Sequence, residues 1–109
     1  MDEEATRLYL QYKLQDTFQG VGVYFRPPGD ERLSRPCIIY EPKNVNAAYA
    51  NNTPYVLGTE FQVTFLSDIP GDARKWDMFG LSGVTIRSNN TYVANDVVHD
   101  VFIVTVNSI

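Results

Sequence analysis

One cysteine, one histidine and a handful of carboxylates are the side chains from which this chain could build chemistry. Cys37 has no second cysteine to bridge to, so an intrachain disulfide and a thiolate zinc site are both excluded. A nucleophilic thiol needs a partner that draws off its proton. The single histidine, His99, is remote in sequence, and Cys37 lies within the apolar run Cys37-Ile38-Ile39-Tyr40, where a free cysteine behaves as a small hydrophobe. Asp68 and Asp72 could pair as acid and base, or hold a cation with Asp77, but the same spacing is expected of a loop leading into a capped helix. His99 and Asp100 are adjacent, and adjacent residues of a strand project to opposite faces, so they do not form a His–carboxylate pair. No phosphate-binding glycine loop, HExxH or GxSxG motif occurs. The expectation is a protein that is not an enzyme and carries no cofactor or metal.

What remains is a polar stretch from Glu41 to about Pro54, containing Asn44, Asn46, Asn51 and Asn52, with Tyr49 and Tyr55 near its end. Asparagine accepts left-handed backbone angles and makes side-chain turns, so this stretch is expected to be a long loop. A long loop in so small a domain is usually functional or disordered. Tyrosine supplies contact area at low entropic cost. Binding or assembly is therefore the expectation, with Tyr49, Asn51, Asn52 and Tyr55 as interface candidates, joined by Arg32 and Arg35 from the only local grouping of basic residues.

The elements that must carry these residues can be read from periodicity. A helix is expected from Asp2, its cap, to Gly20, its stop, with Leu10, Leu14 and Phe18 as apolar contacts and a stripe of Ala5, Leu8 and Tyr12. Strands are expected over residues 21–25, ended by Pro27-Pro28-Gly29, and over 36–40. The clearest strand follows the loop, with Phe61, Val63 and Phe65 alternating with Glu60, Gln62 and Thr64. Residues 72–79 would form two turns of helix with Ala73, Trp76 and Phe79 sharing a face. A short strand over 84–87 would turn at Ser88-Asn89-Asn90, and a long last strand over 97–106 would be apolar on both faces, as a central or neighbour-covered strand is. The fold class is α+β: a mainly antiparallel sheet of about five strands with an N-terminal helix and a short second helix on one face. Phe61, Val63, Phe65, Ile38, Phe102 and Val104 should be buried beneath Leu14 and Phe18.

Length and composition bound the rest. The chain of 109 residues is expected to be a single domain over 1–109, with 44% hydrophobic and 13% aromatic residues, enough for a core. A net charge of −4 gives no grip on phosphates, so nucleic acid is not expected as a bound ligand. Apolar runs are too short to span a membrane, and the acidic start Met1-Asp2-Glu3-Glu4 is unlike a signal peptide. Synthesis and retention in the cytoplasm are expected.

Five segments in order carry a family resemblance: Val23-Tyr24-Phe25-Arg26-Pro27-Pro28, Arg35-Pro36-Cys37-Ile38-Ile39-Tyr40, Tyr49-Ala50-Asn51-Asn52-Thr53-Pro54-Tyr55, Phe61-Gln62-Val63-Thr64-Phe65-Leu66-Ser67-Asp68-Ile69-Pro70, and the run from Tyr92 through Asn95-Asp96 and His99-Asp100 to Phe102. Together they resemble tail-completion proteins of tailed bacteriophages, the tail terminators, similar in fold to the minor tail protein U group of phage lambda. Gly71 stands where the group carries an acidic residue, and Asn51 where Asp is common. The resemblance implies a homo-oligomeric ring, a hexamer, at the head-proximal end of the tail, which stops tube growth and joins tail to head. The implied partners are the tail-tube protein and the head connector or stopper protein. DNA would pass through without specific binding, and the protein would be assembled in the host cytoplasm into the virion neck. Two alternatives remain open: another neck component, such as a head-completion, stopper or connector protein, and a non-viral cytoplasmic ligand-binding module.

Overall fold

A computed structural model describes the backbone of residues 3–26, 34–50 and 53–107, and side chains within 4–26, 34–43 and 59–106. In chain order the elements are helix α1 (Glu3–Thr17), strands β1 (Gly22–Phe25), β2 (Cys37–Ala50) and β3 (Thr53–Ser67), a 3-10 helix, η1 (Ala73–Gly80), and strands β4 (Val84–Ala94) and β5 (Val97–Asn107). The five strands form one sheet in the order β1-β2-β3-β5-β4. Only β1 and β2 run parallel; the other pairs are antiparallel. The α+β architecture and its element order agree with expectation. No helix among the described residues is long and apolar enough to cross a membrane.

Alternation fixes the core face. Ile38 pairs with Phe65, Tyr40 with Val63, Val63 with Phe102 and Phe61 with Val104. All seven are buried, under Leu10, Leu14 and Phe18 of the helical segment. The Phe18 and Phe65 rings stand 5.9 Å apart. The buried stripe of α1 is Thr6, Leu10 and Leu14, spaced four apart and continued by Phe18 just past its end. The expected stripe of Ala5, Leu8 and Tyr12 is not the buried one: Ala5 and Tyr12 are exposed and Leu8 is half-buried. Gly20 ends the helical segment at φ +82°, as a left-handed stop requires; the expected cap, Asp2, lies outside the described residues. Tyr40 is buried yet keeps its polar handle, because its hydroxyl donates to the Gln11 side-chain oxygen and accepts from Arg7 at 3.4 Å. Burial pushes the Tyr40 phenol up, more than Arg7 pulls it down.

Three expectations need correction. The stretch after Tyr40 is not a loop: β2 continues to Ala50, and β3 begins at Thr53, giving one long hairpin. Asparagine, alanine and proline are poor strand formers, but pairing with β3 gives ladder bonds to the backbone groups on the facing side of β2. β2 accommodates them with register shifts at Pro42/Asn44 and Asn46/Ala47. The turn expected at Ser88-Asn89-Asn90 is strand as well, since β4 runs to Ala94 opposite β5 with a shift at Ile86/Ser88. The turn falls at Asn95-Asp96, where φ is 53° and 64°, as the twist of a two-residue hairpin demands. Finally, the segment expected to be two ordinary helical turns is a 3-10 helix. Its three-residue repeat buries Asp72, Lys75, Met78 and Leu81. Trp76 and Phe79 share a face as expected, but it is the solvent face.

Candidate assembly surface

The residues with chemical potential do not converge. Pairing places Cys37 beside Leu66, and Leu66 beside His99, in one row across the sheet. Two strand spacings put Cys37 and His99 about 9.6 Å apart, with Leu66 between them. Burial pushes the Cys37 thiol up, outweighing the pull of Arg35, so it stays protonated. His99 stacks on Tyr92 at 4.6 Å, and its Nδ1 lies 3.0 Å from the Val97 carbonyl. Among the described residues no cluster of His, Cys, Asp and Glu could hold a metal ion.

Asp68 and Asp72 have separate structural tasks. Asp68 pairs with Arg35 at 2.6 Å, tying the entry of β2 to the exit of β3 at an exposed position where such pairs contribute little. Asp72 caps η1, accepting from the Arg74 amide at 3.0 Å and from the Ser67 hydroxyl at 3.0 Å. The Arg74 side chain closes on it at 2.5 Å. This bond to Arg74 holds the Asp72 carboxyl well below the usual carboxylate range, against the opposing effect of burial. A carboxyl with a depressed folded pKa stabilises above its unfolded value, near 3.9, and loses that contribution as pH falls toward the folded value. Asp72→Asn is therefore expected to melt with a flatter dependence on pH below about 4 than the parent. At neutral pH Asp72→Ala should cost about 1 kcal/mol or more, as removal of a cap does. Thermal melts across an acid titration check both.

Sequence reasoning missed one charged pair. Lys75 Nζ lies 3.0 Å from Asp100 Oδ1, with side chains 9% and 0% exposed. Thr91 donates its hydroxyl to the same oxygen at 2.5 Å, and the second oxygen of Asp100 is buried without a hydrogen bond. The signal was present: Asp100 shares its face of β5 with Val98, Phe102 and Val104, so alternation alone assigns it to the core. Sealed in this way, the pair has no access to a substrate.

The large uncovered features are a sheet face, two sheet edges and an aromatic pair. Opposite the helices, the rows Ile39–Thr64–Val101–Asn90 and Glu41–Gln62–Ile103–Ser88 cross the sheet. Ile39, Leu66, Val101 and Ile103 are only half-buried on this face, and Tyr92 at its border is exposed. This matches the expected apolar character of both faces of β5, which is an internal strand. On the η1 side, Trp76 and Phe79 stack at 5.8 Å with more than half of each side chain in solvent.

The β2–β3 hairpin is the most distinctive of these features. β3 pairs with β5 only from Gly58 onward, and β1 accompanies β2 only as far as Tyr40. Residues 47–50 and 53–57 therefore pair only with each other among the described residues, forming a two-stranded arm beyond the five-stranded body. The molecule is drawn out to 50 Å along one axis against 28 and 22 Å along the others. From Asn44 to Thr59 there is no charged residue. Tyr49 and Tyr55 occupy strand positions on this arm, next to its tip, with Ala48 opposite Tyr55 and Pro54 opposite Tyr49. Asn51, Asn52 and Arg32 lie outside the described residues, and Arg35 sits at the other end of β2. The structure thus brings Tyr49 and Tyr55 to one ribbon and leaves Arg35 apart from them.

No family model matches the chain, and no curated protein matches its sequence.

Proposed function

We propose that this chain is a structural subunit of the neck of a tailed bacteriophage, forming a ring of six copies that ends tube growth and joins tail to head. The observation that carries the proposal is the uncharged two-stranded arm. An isolated two-stranded hairpin is marginal in water, and soluble proteins normally guard exposed strand edges with charge. An arm lacking both protections is suited to burial in an assembly. The tail-terminator resemblance points the same way, since its third segment, residues 49–55, spans the tip of this arm. The acidic balance also suits a channel through which DNA passes without being held. A ligand-binding module would need the 41–54 stretch as the rim of a pocket, and an extended ribbon serves that purpose poorly.

A phage lacking this protein should assemble heads and tails that fail to join, with tails of uncontrolled length in electron micrographs of the lysate. Supplying the protein in trans should restore normal tails. Tyr49→Ala or Tyr55→Ala should impair that rescue by about 1–2 kcal/mol each, as interface aromatics do, while leaving circular dichroism unchanged. Normal tails in the absence of the protein would refute the proposal.

A further inference from the structure

The sheet ends in two unequal edges. β1, at one side, is only four residues long, and past Tyr40 the outer edge of β2 has no strand partner among the described residues. At the opposite side β4 presents an outer edge over its whole length, Val84–Ala94. Its only charged residue is Arg87, and most of its side chains are exposed. The first residues of the free β2 edge are guarded: Glu41 and Lys43 are charged, Pro42 lacks an N–H, and a register shift follows. A second register shift lies at Asn46/Ala47, and β4 has one at Ile86/Ser88 beside Arg87. The unguarded stretches are therefore residues 47–50 in the arm and 88–94 in β4.

We infer that the arm of one copy lies along the outer edge of β4 in the next copy, adding its β2 segment as a sixth strand. The occupant is a second copy because the two edges lie on opposite flanks of a single sheet. Joining unlike edges of identical subunits is the heterologous contact that closes a ring when repeated by rotation. Residues 47–50 fit within the 88–94 stretch of β4, and neither stretch carries a charged residue. Main-chain bonds supply the attraction, as in other cases of strand addition. The partner strand also removes the exposed edge of β4. This inference rests on the ring reading for its geometry, but it is tested apart from phage function.

The test is site-specific photocrosslinking of the full chain with p-benzoylphenylalanine at position 48, using mixed isotope-labelled and unlabelled copies. Trypsin cuts after Arg87 and leaves residues 88–109 as one fragment, so tandem mass spectrometry can place each crosslink within it. Intermolecular crosslinks concentrated in residues 88–94 are expected, in the concentrated protein or on assembled necks, together with slowed hydrogen exchange in β4. Val93→Lys, at a residue 67% exposed on β4, should abolish them without changing the melting temperature. A ring whose crosslinks fall elsewhere, or a chain that gives none in either setting, overturns the inference. The first of these outcomes leaves the ring itself intact. Crosslinks to β4 in a phage whose tails end normally without the protein would instead support the arm contact and refute the neck assignment.

Discussion

Phe65→Ala is expected to destabilise the protein by about 3–5 kcal/mol, a large share of what a domain of this size possesses. Phe65 is fully buried near the C-terminal end of β3, between Ile38 on β2 and Asp100 on β5. Phe18 packs on it from the helical side, and the Arg74 guanidinium lies 5.9 Å from its ring. Truncation would leave a cavity between sheet and helix that two rigid elements cannot close. It would also loosen the packing beside the Lys75–Asp100 pair. Chemical denaturation of the purified variant reads the loss. An unchanged midpoint would mean that β3 presents its other face to the core.

A comparable effect is expected at Lys75 and Asp100. Two charges have been withdrawn from water, and their attraction offsets much of the desolvation only while both are present. Lys75→Met alone should cost about 3–5 kcal/mol, because it strands the Asp100 carboxylate in the core with only the Thr91 hydroxyl for company. Asp100→Val alone should cost a similar amount by stranding the ammonium. The double variant should recover most of this, since apolar side chains of similar volume often replace a buried pair without loss. A double-mutant cycle in urea supplies the measurement. Additive losses would show that the two charges act independently, contrary to their 3.0 Å contact.

These two sites mark how far the sequence could be read. Phe61, Val63 and Phe65 alternate with polar residues, and that pattern alone assigned the core face correctly. The same rule, applied to β5, also assigns Asp100 to the core, but its partner could not be found because Lys75 lies on a 3-10 turn. A period of 3.6 groups Ala73, Trp76 and Phe79; a period of 3.0 buries Asp72, Lys75 and Met78. The hairpin arm escaped for a different reason. Its Asn, Ala and Pro residues have turn-like preferences, and only pairing between β2 and β3 overrides them. The same holds for Ser88, Asn89 and Asn90, which β5 draws into strand. On the proposed assembly arm, residue type alone singles out Tyr49 and Tyr55, whereas the ribbon that carries them is visible only in the strand register.

On the proposed reading, the arm serves assembly of a ring at the end of a phage tail. Cryo-electron microscopy of the virion neck tests it most directly. The expected map shows six copies of this fold around the channel at the head-proximal end of the tube, with every β2–β3 arm in contact with a neighbouring copy. A neck without this fold, or one in which the arms project into solvent, would contradict the claim.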